Sequence, residues 1–157
     1  MDATTMPSII SLVSKLKADF PQFRFTEGGE FRWAPNEATI YFDVASSDTA
    51  SLLHELSHAI LDHRQYSRDI QLIEFEQAAW QYAQTVLSER YGVAISQDNI
   101  DASLDTYRDW LHARSQCPHC KATGLQIKSR LYSCLACTTK WRVNDARVCE
   151  LRRTVVA

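Results

Sequence analysis

No stretch of this 157-residue chain is apolar for long enough to cross a membrane. The first residues also lack the basic segment, apolar run and small-residue cleavage site of a secretory leader. The expectation is therefore a cytoplasmic protein without a membrane partner. No internal repeat and no low-complexity segment interrupts the chain, so repeat architectures and long disordered linkers are excluded. A disulfide framework is missing too: four of the five cysteines fall into two tight pairs. The pairs do not sit in the βαβ setting of a dithiol redox site, and that chemistry would need only one of them. The length allows one domain with a real core, or one domain plus a small appendage.

What is present is metal-ligand spacing. Cys117-Pro118-His119-Cys120 and Cys134-Leu135-Ala136-Cys137 are two C-x-x-C knuckles with 13 residues between them. Four thiolates so spaced imply a zinc ribbon. Leu125 and Ile127, then Leu131 and Tyr132, suit two short strands between the knuckles.

The second motif is His54-Glu55-Leu56-Ser57-His58, an H-E-x-x-H. On a helix, i and i+4 share one face, so both imidazoles can reach a single Zn²⁺. Glu55 lies about 100° round the helix, placed to act as a general base on water rather than as a ligand. The alternative is a surface helix with two solvated histidines. The flanks favour a buried helix: Ser46, Ser47 and Asp48 are N-cap types, and Leu52, Leu53, Leu56, Ala59 and Ile60 follow helical spacing.

Ahead of this motif, Ile9, Ile10, Val13, Leu16 and Phe20 predict a helix that Pro21 ends. Phe23 and Phe25, Phe31 and Trp33, and residues 38–44 predict three short strands joined by tight turns, an antiparallel meander. Beyond the motif, a long helix from about Ile70 to Tyr91 closes at Gly92, a good C′ residue. Ser96 or Asp98 can cap a further helix with Ile100, Leu104, Tyr107 and Leu111 inward. The expected class is α+β: an N-terminal helix, a meander, an active-site helix, a glutamate helix and one more helix over residues 1–114, then a ribbon and tail over 115–157.

A catalytic zinc takes three protein ligands and keeps one position open. Downstream, His63, Glu74, Glu76 and His112 are available. His63 falls about 140° off the ligand face if the helix continues. Glu76 lies within the apolar stripe of Leu72, Ile73, Ala79, Trp80, Ala83, Val86 and Leu87, whereas Glu74 shares the polar face of Gln77, Gln81, Gln84 and Ser88. A carboxylate on a buried face is costly unless paired or metal-bound. Zinc would explain Glu76; so would an Arg, a Tyr or a helix N-terminus.

Residues 54–63 (His54-Glu55-Leu56-Ser57-His58-Ala59-Ile60-Leu61-Asp62-His63) followed by Glu76, Ala79, Tyr82 and Ala83 resemble the ImmA/IrrE type of metallopeptidase, among the gluzincins. The resemblance covers roughly residues 38–90 and implies a zincin-like body with Glu76 as third zinc ligand. Ala78 stands where that family often has a second acidic residue. An H-E-x-x-H body followed by a four-cysteine ribbon is also similar in layout to SprT-like proteases, which act on DNA-bound proteins. Those supply a third His, and no His lies between His63 and His112. Together the resemblances imply two Zn²⁺, one catalytic and one structural, and a protein or peptide substrate of regulatory or DNA-associated kind.

The oxyanion of such a reaction usually has a second electrophile; Tyr66, Tyr82, Tyr107, Arg108 and His112 are available, and the sequence does not choose. Charge divides along the chain. Residues 1–114 carry 9 Lys and Arg against 17 Asp and Glu, net −8, and residues 115–157 carry 8 against 2, net +6. A basic ribbon suits nucleic acid, an acidic protein or its own acidic body, with Arg130, Lys140, Trp141 and Arg142 as the expected contacts. The alternative function is thus a catalytically silent or latent peptidase-like sensor whose ribbon binds nucleic acid or protein. Cys149 is unpaired beside Arg147, Arg152 and Arg153. It is either a small packed hydrophobe or a thiolate able to fold back on the catalytic metal.

Overall fold

The computed structural model describes residues 6–145 and 150–157. Cys149, and with it the expectation of a latent tail, lies outside the described residues. The chain is mixed α+β with two small sheets, and its contacts form two compact units: residues 1–64 with 75–100, and residues 65–74 with 101–157. Composition draws a boundary at 114/115; contacts group residues 65–74 and 101–114 with the ribbon as well.

In the first unit, α1 (Ile9–Asp19) is capped by Ser8 and buries Ile9, Leu12, Val13 and Leu16, one stripe at helical spacing. Three strands follow: β1 (Arg24–Glu27), β2 (Arg32–Ala34) and β3 (Thr39–Phe42). They are not a meander. The order is β1-β3-β2, with β1 parallel and β2 antiparallel to β3. The reason lies in burial: Thr39, Ile40 and Phe42 of β3 are all buried and suit the middle of the sheet, whereas β1 buries only Phe25. The Gly28-Gly29 link therefore crosses the end of β3 instead of closing a hairpin. Gly28 N–H donates to the Phe42 carbonyl at 2.9 Å, and a Cβ there would stand 2.8 Å from the Tyr41 ring.

Helix α2 (Thr49–Ile60) starts at Asp48, whose carboxylate accepts the Ser51 N–H at 3.0 Å. Helical structure then runs without a break through α3 (Asp69–Tyr82), a π-helical turn (Ala83–Leu87) and α4 (Ser88–Tyr91), ending at left-handed Gly92. The wider turn rotates the stripe: Val86 is exposed while Leu87 is buried. Leu52, Leu53, Leu56, Ala83, Leu87 and Tyr91 complete the core around α1 and β3.

In the second unit lies most of α5 (Gln97–Ser115), whose first turn Ser96 caps through the Asn99 N–H. Four antiparallel strands follow in order: β4 (Leu125–Lys128), β5 (Leu131–Ser133), β6 (Lys140–Val143) and β7 (Arg153–Val156). The last two extend the hairpin that the knuckle spacing implies. Its core is Cys117, Tyr132, Cys134, Trp141 and Val143. Gly124 is needed beside Trp141, since a Cβ would lie 2.3 Å from that ring. Beneath the sheet, buried Arg114 pairs with buried Asp69 at 2.8 Å, and Tyr132 Oη donates to the same carboxylate at 2.6 Å. Trp141 Nε1 donates to the Arg114 carbonyl at 2.9 Å. Arg114 Nη2 stands 3.5 Å from the other Asp69 oxygen, and a buried ion pair so bonded tolerates the loss of water that an isolated charge would not.

Candidate metal centres

Helix α2 presents His54 and His58 one turn apart, both buried because Leu52, Leu53, Leu56 and Ala59 bury the surrounding surface. Their Nε2 atoms stand 3.1 Å apart. Glu76, on α3, enters the same space: one carboxylate oxygen is 2.8 Å from His54 Nε2, the other 3.1 Å from His58 Nε2. Its carboxylate is 8% exposed, so burial opposes its charge, yet the two imidazoles hold its pKa well below the usual carboxylate range. Burial acts in the opposite sense on His58, whose pKa Glu76 and Glu55 nonetheless raise. Glu74, two residues away, is exposed.

Glu55 has a different setting. Its Oε2 accepts the Trp33 backbone N–H at 2.8 Å, and burial pushes its pKa up against the lowering influence of His54 and His58. His54, Glu55 and His58 lie close enough to hold a metal ion. Glu76 is the carboxylate bonded to both imidazoles, and Glu55 the one restrained from outside, by a strand. That contrast suits one ligand and one base. Around them, the His54 ring stacks on Trp80 at 4.0 Å between centroids. His58 Nδ1 meets His63 Nδ1 at 2.8 Å, and His63 stacks on Phe75 at 4.4 Å. Burial and the neighbouring His58 hold the His63 pKa down to about 4, leaving that ring neutral near pH 7.

The second cluster is Cys117, Cys120, Cys134 and Cys137, whose sulfurs lie within 4.8 Å of one another. Each knuckle closes alike: the Lys121 N–H donates to the Cys117 carbonyl at 3.0 Å, and the Thr138 N–H to the Cys134 carbonyl at 3.1 Å. Lys121 and Thr138 both adopt left-handed backbone, φ 65° and 64°. For Thr, β-branched, this is an unusual conformation, maintained by the knuckle around it. The thiols do not ionise alike. Hydrogen bonds from Thr139 bring Cys137 down to about 5. For Cys120 the Ala122 N–H acts downward, but Cys134, burial and the other two cysteines together outweigh it and push the thiol up to about 12. Four sulfurs packed together cannot all carry charge unaided; a dication removes the conflict.

The other expected residues are dispersed. Tyr82 packs against the first unit's core; Tyr66, Tyr107, Arg108 and His112 belong to the second unit, where Arg108 pairs with Asp105 at 2.9 Å. Lys140 and Arg142 are exposed on β6, and Arg130 pairs with Asp145. Trp141 cannot stack on a base: it is wholly buried, since alternate residues of β6 face the core. Two residues of the first site carry weak signals in the sequence: helical periodicity turns His63 away from the ligand face, and Trp33 reads only as a strand residue. Among the described residues, no helix is long and apolar enough to cross a membrane. No protein-family model, curated protein or solved structure matches this chain.

Proposed function

We propose that the first unit is a zincin-like peptidase domain similar to the ImmA/IrrE type, and that the second carries a structural zinc on its four cysteines. The observation that carries this reading is Glu76, a buried carboxylate set between two buried imidazoles at 2.8 and 3.1 Å. Two imidazole nitrogens and one carboxylate are the donor set of a catalytic zinc, and four thiolates that of a structural one. His54, His58 and Glu76 would hold the first ion. Bound there, zinc would supply Lewis-acid chemistry, polarising a scissile carbonyl and lowering the pKa of a water.

Glu55 takes the proton of that water and hands it to the leaving amine. Burial raises its pKa above the ordinary carboxylate value. The Trp33 N–H restrains one carboxylate oxygen and leaves the other for the transfer. The substrate class is a protein or peptide, by resemblance a regulatory or DNA-associated one. The full chain is expected to bind two equivalents of zinc by mass spectrometry and to cleave within a peptide library. Glu55→Gln should keep both metals and lose cleavage by at least about a hundredfold, the lower reach of general acid–base catalysis. Unchanged cleavage by Glu55→Gln would refute the peptidase reading.

One observation favours a second activity. Strands β4 to β7 contain no Asp or Glu, and Lys140 and Arg142 are exposed on β6. A nucleic-acid contact there would weaken with salt, and Lys140→Ala and Arg142→Ala should each reduce the log–log salt slope by about 1. Anisotropy with single- and double-stranded oligonucleotides measures this; no binding at low salt would leave an acidic protein as the partner.

A further inference from the structure

The histidine that helical geometry set aside is built into the first metal centre. Helix α2 ends at Ile60, and the chain turns through Asp62, which is left-handed at φ 55°. That turn returns His63 to the helix it has just left. Its N–H donates to the His58 carbonyl at 3.0 Å, and its carbonyl accepts Trp33 Nε1 at 2.9 Å. Its ring lies nearly parallel to Phe75, 13° between planes, one residue before Glu76. Both main-chain groups and one ring face are thereby restrained, and ring Nδ1 lies 2.8 Å from His58 Nδ1.

We infer that His63 is a positioning residue for the metal centre: its Nδ1 accepts the His58 Nδ1–H and so fixes His58 in the tautomer whose Nε2 is free to bind metal. This rests on the zinc site proposed above. An imidazole that coordinates through Nε2 must carry its proton on Nδ1, so in the loaded site His58 is the donor and His63 can only accept. Metal-bound histidines are usually held in this way by a carboxylate, a carbonyl or water, and losing that partner costs about 10- to 100-fold in metal affinity. Here a neutral imidazole does the task. It adds no charge beside a carboxylate-containing site, and its ring simultaneously packs against α3.

Two substitutions separate the hydrogen bond from the packing. His63→Asn places a side-chain oxygen near the Nδ1 position and gives up the stack on Phe75. His63→Phe keeps an aromatic ring and gives up the acceptor. Zinc affinity of the full-length protein is measured by chelator competition, and the His58 ring is followed by long-range ¹H–¹⁵N correlation in the zinc-loaded protein. Wild type and His63→Asn are expected to show the Nδ1–H tautomer of His58 and zinc affinities within a few-fold of each other. His63→Phe is expected to lose about 10- to 100-fold in affinity at the first site, with ribbon zinc retained. The opposite order, with His63→Phe like wild type and His63→Asn weakened, makes His63 a packing residue and overturns the inference while leaving the zinc site standing. A wild-type chain that binds only the ribbon zinc overturns both.

Discussion

Glu76→Gln is expected to empty the first metal centre. Losing a partner one shell out costs about 10- to 100-fold in metal affinity, so losing a direct anionic ligand from a three-ligand set should cost more than about a hundredfold. The amide is nearly isosteric and can still hydrogen-bond an imidazole, so the fold has no steric reason to fail. Ribbon zinc should be unaffected, since the four cysteines lie in the other unit. Glu74→Gln is the matched control. It sits two positions away on the same helix, exposed, and should change neither metal content nor stability by more than about 0.5 kcal/mol. Metal content after dialysis against a chelator of intermediate affinity distinguishes them. Zinc lost by Glu74→Gln and kept by Glu76→Gln would place the ligand on the wrong face of α3.

Cys134→Ser should release the other metal and unfold the ribbon. Among the described residues, the apolar cluster of the ribbon comprises five buried residues, of which Cys117 and Cys134 are themselves members of the sulfur cluster. So little apolar surface cannot fold a module alone, whereas structural zinc contributes about 10–16 kcal/mol in comparable small modules at neutral pH. Trp141, wholly buried in the folded unit, should shift its emission to the red as solvent reaches it. Tyr132 loses the sheet that directs its hydroxyl to Asp69, leaving Arg114 as the partner of that carboxylate. The first unit's core contains none of these side chains, so its cooperative melting should persist. A Cys134→Ser protein with wild-type zinc content and unshifted emission would rule out a metal-dependent ribbon.

Local rules were enough for much of this chain. The i, i+4 spacing of His54 and His58 and the capping chemistry of Asp48 define α2. Periodicity alone assigns Glu76 to a buried face and Glu74 to an exposed one, because a helix repeats every 3.6 residues whatever surrounds it. The knuckle spacing brings the two sulfurs of each pair together, since three-residue reach is a property of the backbone; the pairs themselves meet through the packing of the ribbon, Cys117 Sγ 3.7 Å from Cys137 Sγ and Cys120 Sγ 3.5 Å from Cys134 Sγ. Gly92 ends its helix because the position just past the last turn adopts left-handed backbone, φ 64°, which glycine takes without a steric cost.

The departures come from remote partners or from backbone turns that a regular repeat does not record. Three short strands with tight links read as a meander, but the order β1-β3-β2 follows from which strand has enough buried side chains for the centre. The π-helical turn turned Val86 outward, a one-residue change that no periodic pattern records. Trp141 looked available to a base until β6 acquired a neighbour on each side and an inner face. Asp62 turning left-handed brought back a histidine that an ideal helix would have pointed away. The sequence by itself determined which residues have metal-binding chemistry and which helix faces they occupy, since both depend on residue type and local repeat. Only the tertiary structure decided that Glu76 meets both imidazoles and that Trp33 restrains Glu55. Those distances depend on how strands and helices far apart in the chain pack, and no local repeat encodes them.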